Sequence, residues 1–503
     1  MQSWPEFIEA LTKLFGGPVL GIRYLTEERE KKKDPEAPPR EFAYLLKQVT
    51  SYTFLLILAA LNLFLIYPLF LKQASEYLIA TPFLPVVSKL VADFTGMSLP
   101  LAYEVLVGVF YILGILSFYG FVRILTGREL TAVIAATCYS LFSPATYFFS
   151  GLPEALPEYG SIPMRLKALI VFSEGPHVAS LAVIPVCAIL FLAFLKFGTF
   201  RLLFLTTLSL VVLGMISRFG IFAFLYIACI IWLSEVFLGE ARKKTARMAM
   251  ALFLALGLSS FWYDQSLPWN LLSFAAREGV TRNLVDLIPI GFVTVPVLGT
   301  FFFLLFEHRP QLQHLFIVSA LVLGFFFLIS TWIVLNEVFA PQPWRFLIEF
   351  DFAFSLLVGF ALSGVFEIFW RMEEQFIGEK KLPAFLRGVF PMIFLGLMVL
   401  GTGAFIVSEG HRFQDISSYG IGGIDSFLKE EAPILSVTYL QRDVLRWVYG
   451  SELESLLPFS FPSGYNVLGI VLGVLSLTWL VEAKVKFRRK LFKTPTGVIE
   501  SQV

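Results

Sequence analysis

The residues best placed to do chemistry in this sequence are ionisable side chains at the edges of long apolar runs. Glu76 follows the first run, and Asp93 and Glu104 flank the start of the second. Glu174 and His177 stand in Ser173-Glu174-Gly175-Pro176-His177 at the start of another. Arg218 marks the tight corner Ser217-Arg218-Phe219-Gly220, and Arg345, Glu349 and Asp351 open a late run. A charged group at membrane depth costs several kcal/mol unless it is paired or wetted, so such groups mark a cavity or a pathway. A carboxylate there can take a proton from a hydroxyl, and an arginine fork fits a phosphate. Each group also has a structural alternative. Lys72 with Glu76 and Arg345 with Glu349 have the i,i+4 spacing of a surface ion pair. Arg218 and Arg345 can snorkel to headgroups, and a lone His at a span start is more often a hydrogen-bonding group than a metal ligand. Asp351, deeper than Arg345, is the acid least easily explained by surface pairing.

No HExxH, Walker loop, GxSxG or CxxC pair occurs, so zinc-protease, P-loop and soluble-hydrolase readings lack their motifs. Cys138, Cys187 and Cys229 each lie in an apolar run, where a thiol acts as a small hydrophobe. A net charge of +1 gives no excess that would draw a nucleic acid.

The elements that must position these groups are transmembrane helices. The 503 residues are 57% hydrophobic and only 15% charged, with a mean hydropathy of +0.76, outside the balance of a soluble domain. Runs long enough to cross a bilayer are expected near 52–71, 102–122, 130–149, 177–195, 201–217, 219–238, 248–264, 286–306, 315–335, 346–369, 388–408 and 465–483. The fold class is therefore an all-α polytopic membrane protein of about 12 transmembrane helices. Most of the Lys and Arg residues fall on alternate connections, including Lys243-Lys244, Lys380-Lys381 and the cluster from Lys484 to Lys493. The positive-inside rule then puts both termini in the cytoplasm and the isolated acids at the outer face of a multi-pass cell-membrane protein. The first 50 residues carry no uninterrupted apolar run, so the first span is expected to serve as its own insertion signal.

Four regions follow. Residues 1–51 form a cytoplasmic segment whose Trp4, Phe7, Ile8, Leu11, Leu14 and Phe15 suit an interfacial helix. Residues 52–408 form the core. Residues 409–464 read as a small α/β appendage on the outer face, with a helix stopped near Pro433 and a β-rich stretch at 434–440. Residues 465–503 supply a last span and a basic tail. Phenylalanine is abundant at 55 residues while asparagine is scarce, a pattern that fits a thermophilic, prokaryotic source.

Several segments together resemble a known family. Gly120-Phe121-Val122-Arg123-Ile124-Leu125-Thr126-Gly127-Arg128, Ala135-Ala136 and Tyr139-Ser140-Leu141-Phe142-Ser143-Pro144 are similar to the third-to-fourth segment of prokaryotic GT-C-type polytopic glycosyltransferases and their membrane relatives. Gly175-Pro176-His177, Phe261-Trp262 and Pro343-Trp344-Arg345-Phe346 look like later landmarks of the group. The resemblance implies an enzyme that moves a sugar from a polyprenyl-phosphate carrier in the membrane lipid to an acceptor at the outer face. It implies a catalytic carboxylate near the first outer loop. The family's usual aspartate is replaced there by Lys72-Gln73-Ala74-Ser75-Glu76-Tyr77, leaving Glu76 as first choice and Asp93 as second. Arg218, Arg345, Asp351, Glu174 and His177 would bind substrate or lipid phosphate, with a divalent cation as an optional aid. The rival readings are a transporter or flippase for a lipid-linked or small polar substrate, and a non-catalytic envelope scaffold.

Overall fold

A computed structural model describes residues 40–66, 83–149, 163–170, 174–260, 279–286, 312–340, 343–376 and 467–492, with a few isolated positions between them. All regular structure among them is helical. In chain order the helices are α1 (Arg40–Leu65), α2 (Phe83–Thr95), α3 (Leu99–Thr126), α4 (Glu129–Leu141), α5 (Pro144–Phe148), α6 (Met164–Ile170) and α7 (Gly175–Phe197). They continue with α8 (Phe200–Ile216), α9 (Arg218–Phe237), α10 (Ala241–Ser259), α11 (Val280–Asp286), α12 (Gln313–Ser330), α13 (Leu347–Phe376) and α14 (Val467–Phe492). Among the described residues, five stretches are long and apolar enough to cross a membrane: Leu99–Thr126, Gly175–Phe197, Phe219–Phe237, Gln313–Leu335 and Pro343–Phe366. At 1.5 Å per residue, α3 alone reaches about 42 Å. Shorter apolar helices match the expected spans near 52–71, 201–217 and 465–483.

The run expected to cross as one helix over 130–149 is divided. Helix α4 ends at Leu141, Phe142 is extended, and α5 begins at Pro144. Proline disfavours a helical conformation in the residue before it, and the Asp351 carboxylate takes over the capping of the second piece. The expected spans near 286–306 and 388–408 lie almost wholly outside the described residues. So do the segment 1–39 and the appendage 409–464, apart from Trp447 and Val448, which are helical.

Close contacts fix the sense of the helices. Near the start of α7, Gly175 lies against Tyr103 and Val107 of α3, and further down Gly114 of α3 lies near Ala182 of α7, so these two run parallel. Gly220 at the start of α9 packs on Ser180 of α7, so α9 runs the same way. Helix α13 runs antiparallel to α4. A Cβ on Gly359 would stand 2.7 Å from the Thr131 carbonyl and 2.8 Å from Ala135 Cβ, so only glycine lets these two helices approach so closely. The Thr131 hydroxyl then donates to Ser363 at 2.8 Å.

This arrangement gathers the starts of α3, α7, α9 and α13 with the end of α4 at one end of the bundle. Below that end the interior is aromatic: Phe118 lies 4.6 Å from both Tyr139 and Phe352, and Phe352 also stacks on Phe121. Lys196, Glu235, Lys244 and Gln313 mark the opposite end, where α12 begins beside the close of α9.

Candidate functional site

Four buried ionisable groups meet where α7, the Pro343–Phe346 turn and α13 begin. Helix α7 opens with Glu174 before Gly175-Pro176-His177, and its proline sits where no N–H is required. The Glu174 backbone N–H donates to the Ala168 carbonyl at 2.8 Å, which ties α7 to the short helix α6. The Glu174 side chain makes no capping bond; it reaches His177 instead, Oε2 lying 2.7 Å from Nδ1. The other ring nitrogen, Nε2, lies 2.8 Å from Glu349 Oε1. A ring with a carboxylate at each nitrogen is satisfied by the imidazolium, which donates from both. Arg345 Nε donates to Glu174 Oε1 at 3.0 Å, and its guanidinium lies over the rings of Phe219 and Trp344. Burial alone would raise the Glu174 carboxyl, but Arg345 and His177 outweigh it and hold it below the usual carboxylate range. Phe219 closes the cluster by packing edge-on against His177 and against Phe346.

One helical turn into α13 the polarity continues. Asp351 Oδ1 accepts from the Ala145 backbone N–H at 2.7 Å and Oδ2 from the Ser143 hydroxyl at 2.9 Å. The backbone N–H of Met164 bonds the same carboxyl, so one side chain holds the first turns of both α5 and α6. Lys167 of α6 lies within electrostatic reach of Asp351. Burial pushes the Lys167 ammonium down to about 8, and Asp351 opposes that shift.

The structure thus brings together Glu174, His177, Arg345 and Asp351 of the residues singled out by sequence. Glu349 joins them, a residue the sequence also singled out, with a surface pair to Arg345 as its structural alternative. Arg345 instead joins Glu174 and Glu349 joins His177, both contacts spanning more than 170 residues of chain. Asp93 is placed otherwise: its side chain is 49% exposed and paired with Lys89 one turn earlier in α2, at 2.5 Å. Arg218 is the first residue of α9. Glu76 lies outside the described residues.

Sequence reasoning missed Arg165 and Lys167, which α6 buries beside the same cluster. Their signal was present. Two cations stand among Met164, Leu166, Ala168, Leu169 and Ile170, in the connection between the expected spans 130–149 and 177–195.

Among the described residues, no group of three or more His, Cys, Asp or Glu side chains is arranged to hold a metal ion. Comparison with protein families, with curated proteins and with solved structures found no match to this chain.

Proposed function

We propose that this chain is a multi-pass membrane transferase of the GT-C-like kind, moving a sugar from a polyprenyl-phosphate carrier to an acceptor hydroxyl within the buried polar layer. The observation that carries the reading is Glu349. It is 1% exposed, its Oε1 faces His177, and its Oε2 has no partner among the described residues. A carboxylate oriented at one oxygen and open at the other is what a general base needs.

In the proposed step the acceptor oxygen attacks the anomeric carbon and the carbon–oxygen bond to the carrier phosphate breaks. The acceptor proton passes to Glu349, and the phosphate leaves as an anion stabilised by the arginines of the layer. Glu174 and His177 are positioning residues for Glu349 and Arg345. Lipid-facing apolar surface would take the polyprenyl tail. Arg218 stays a candidate for the phosphate, Glu76 and Asp93 for a second acidic role, and a divalent cation for charge neutralisation.

The basic groups Lys196, Arg242, Lys243, Lys244 and Arg247 gather at the end away from this layer, which supports placing the layer outside and the termini in the cytoplasm. A transporter would need a polar path from end to end. Phe118, Phe121 and Phe352, all buried, fill the interior next to the layer, which favours a one-sided site.

The test is transfer of labelled sugar from polyprenyl-phosphate donors by purified protein in vesicles, with Glu349→Gln beside the wild type. Glu349→Gln should lower the rate by about 10²-fold or more. Wild-type protein that moves no sugar from any such donor, or a Glu349→Gln variant of undiminished rate, would sink the reading.

A further inference from the structure

Arg165 presents an imbalance that its neighbours do not. The residue is 1% exposed, and its guanidinium lies between two tyrosine rings, 4.4 Å from the Tyr111 centroid and 4.5 Å from that of Tyr139. One nitrogen, Nη2, donates to the Tyr111 carbonyl. Nε and Nη1 have no partner among the described residues, and neither do the hydroxyls of Tyr111 and Tyr139. The Tyr139 hydroxyl is within electrostatic reach of Arg165, Glu349, Tyr111 and Asp351.

Side chains from α3, α4, α6 and α13 therefore converge with their polar atoms unanswered, whereas buried polar atoms in folded proteins are almost always bonded. The tyrosine rings cover both faces of the guanidinium. Gly114 lets its Nη2 corner approach α3, since a Cβ there would stand 2.8 Å from that nitrogen. What remains unpartnered is Nε on one edge and Nη1 at the tip, two donors on different sides of the guanidinium, each able to give a charge-assisted hydrogen bond to an anionic oxygen.

Charge points the same way. Glu174 pairs with Arg345 and His177, and Glu349 with His177, but no carboxylate among the described residues pairs with the Arg165 guanidinium. A water molecule can satisfy hydrogen bonds but cannot balance that charge, whereas an oxyanion does both.

We propose that Arg165, Tyr111 and Tyr139 form a buried binding site for a phosphate-class oxyanion. An unpartnered guanidinium N–H and the tyrosine hydroxyls donate to its oxygens, while Glu349 Oε2 stands ready to accept from a hydroxyl carried by the same ligand or its co-substrate. This rests on the polar layer being the substrate site of the transferase and names the group it holds. The anion is either a lipid phosphate or free phosphate.

The experiment reads binding, so that its failure and the failure of sugar transfer are separate results. Purified full-length protein in nanodiscs is titrated with inorganic phosphate and, separately, with farnesyl phosphate, following melting temperature and native mass. Saturable binding is expected, weakened about tenfold or more in Arg165→Gln and about threefold or more in Tyr139→Phe. Binding of farnesyl phosphate alone assigns the site to a lipid headgroup; binding of both assigns it to the anion itself. No saturable binding of either, or equal affinity in wild type and Arg165→Gln, overturns the proposal. If Arg165→Gln does not fold, Arg165→Lys keeps the charge and loses the guanidinium N–H groups, and an unchanged affinity in that variant overturns it equally.

Discussion

The two polar ends of the bundle use charge in opposite ways. At the end with Lys196 and Glu235, each charged side chain of the cluster has a partner, and the polar atoms left over among the described residues there belong to Gln313 and His314. Lys244 Nζ meets Glu235 Oε2 at 2.8 Å and the Glu235 carbonyl at 2.7 Å, and Lys196 lies 3.6 Å from Oε1. Arg247 donates to the carbonyls of Leu195 and Lys196 at 2.6 and 3.0 Å. These cations sit on the last carbonyls of α7 and α9, where the helix dipole is negative, and they stabilise the ends of helices. At the end with Glu174 and Glu349, acids and bases are brought together from distant parts of the chain and buried, yet two guanidinium nitrogens, two phenols and a carboxylate oxygen have no partner among the described residues. Charges that close a helix are finished when the chain has folded. Charges that leave donors and acceptors over are arranged for something that binds later.

That contrast can be broken most sharply at Arg345. Arg345→Ala leaves Glu174 buried without its guanidinium and should destabilise the protein by about 3–5 kcal/mol, whereas Glu174→Gln in the same background should recover part of the loss. A double-mutant cycle in thermal unfolding that shows no coupling between the two would mean that the pair is not a unit.

Next in size, Asp351→Ala should lower stability by about 2–3 kcal/mol, because the N–H groups of Ala145 and Met164 and the Ser143 hydroxyl lose their common acceptor. Asp351→Asn, which keeps a carbonyl oxygen, should cost less. Equal melting temperatures for the two variants would contradict a capping role.

Lys167 gives the pH dependence. Its folded value of about 8 lies below the ordinary lysine value of 10.5, so between these limits the unfolded chain binds a proton that the folded chain does not. Stability from this group should therefore rise with pH from about 8 to about 10.5. Lys167→Met should flatten that rise, and an unaltered slope of melting temperature against pH would remove Lys167 as its source.

At the closed end, Lys244→Ala should reduce stability by about 1–2 kcal/mol and leave phosphate binding and sugar transfer as they were. A variant there that spares stability but abolishes transfer would erase the distinction between the ends. The smallest effect belongs to the exposed Lys89–Asp93 pair, whose removal in Asp93→Asn should change stability by about 0.2–1 kcal/mol. Full loss of transfer in a well-folded Asp93→Asn would return catalysis to that residue.

The sequence made the long helices legible because apolar runs such as 102–122 and 177–195 are both sufficient and uninterrupted. It also pointed to Glu174, His177, Arg345 and Asp351, since each is a polar residue at the rim of such a run. It could not reveal who pairs with whom. The i,i+4 rule joined Arg345 to Glu349, but both side chains turn instead toward the start of α7, where Glu174 and His177 offer buried partners of opposite charge. Arg165 escaped for another reason. Helix α6 is seven residues long, too short for periodicity to register, and its burial depends on Asp351 and Ala168 holding its two ends. Tyr111 and Tyr139 look like ordinary aromatic residues of a span until the guanidinium is placed between them.

The Asp351 carboxyl has one more consequence, for the evolution of the chain. Because it holds both Ala145 and Met164, two stems about 20 residues apart in the chain are joined at a single residue, and each doubling of the chain length between them would add only about 0.6 kcal/mol of closure entropy. Insertions and deletions can therefore accumulate between Phe149 and Pro163 while the two stems stay in register. The chain between the stems is thus free to diversify in length, provided one aspartate does not change.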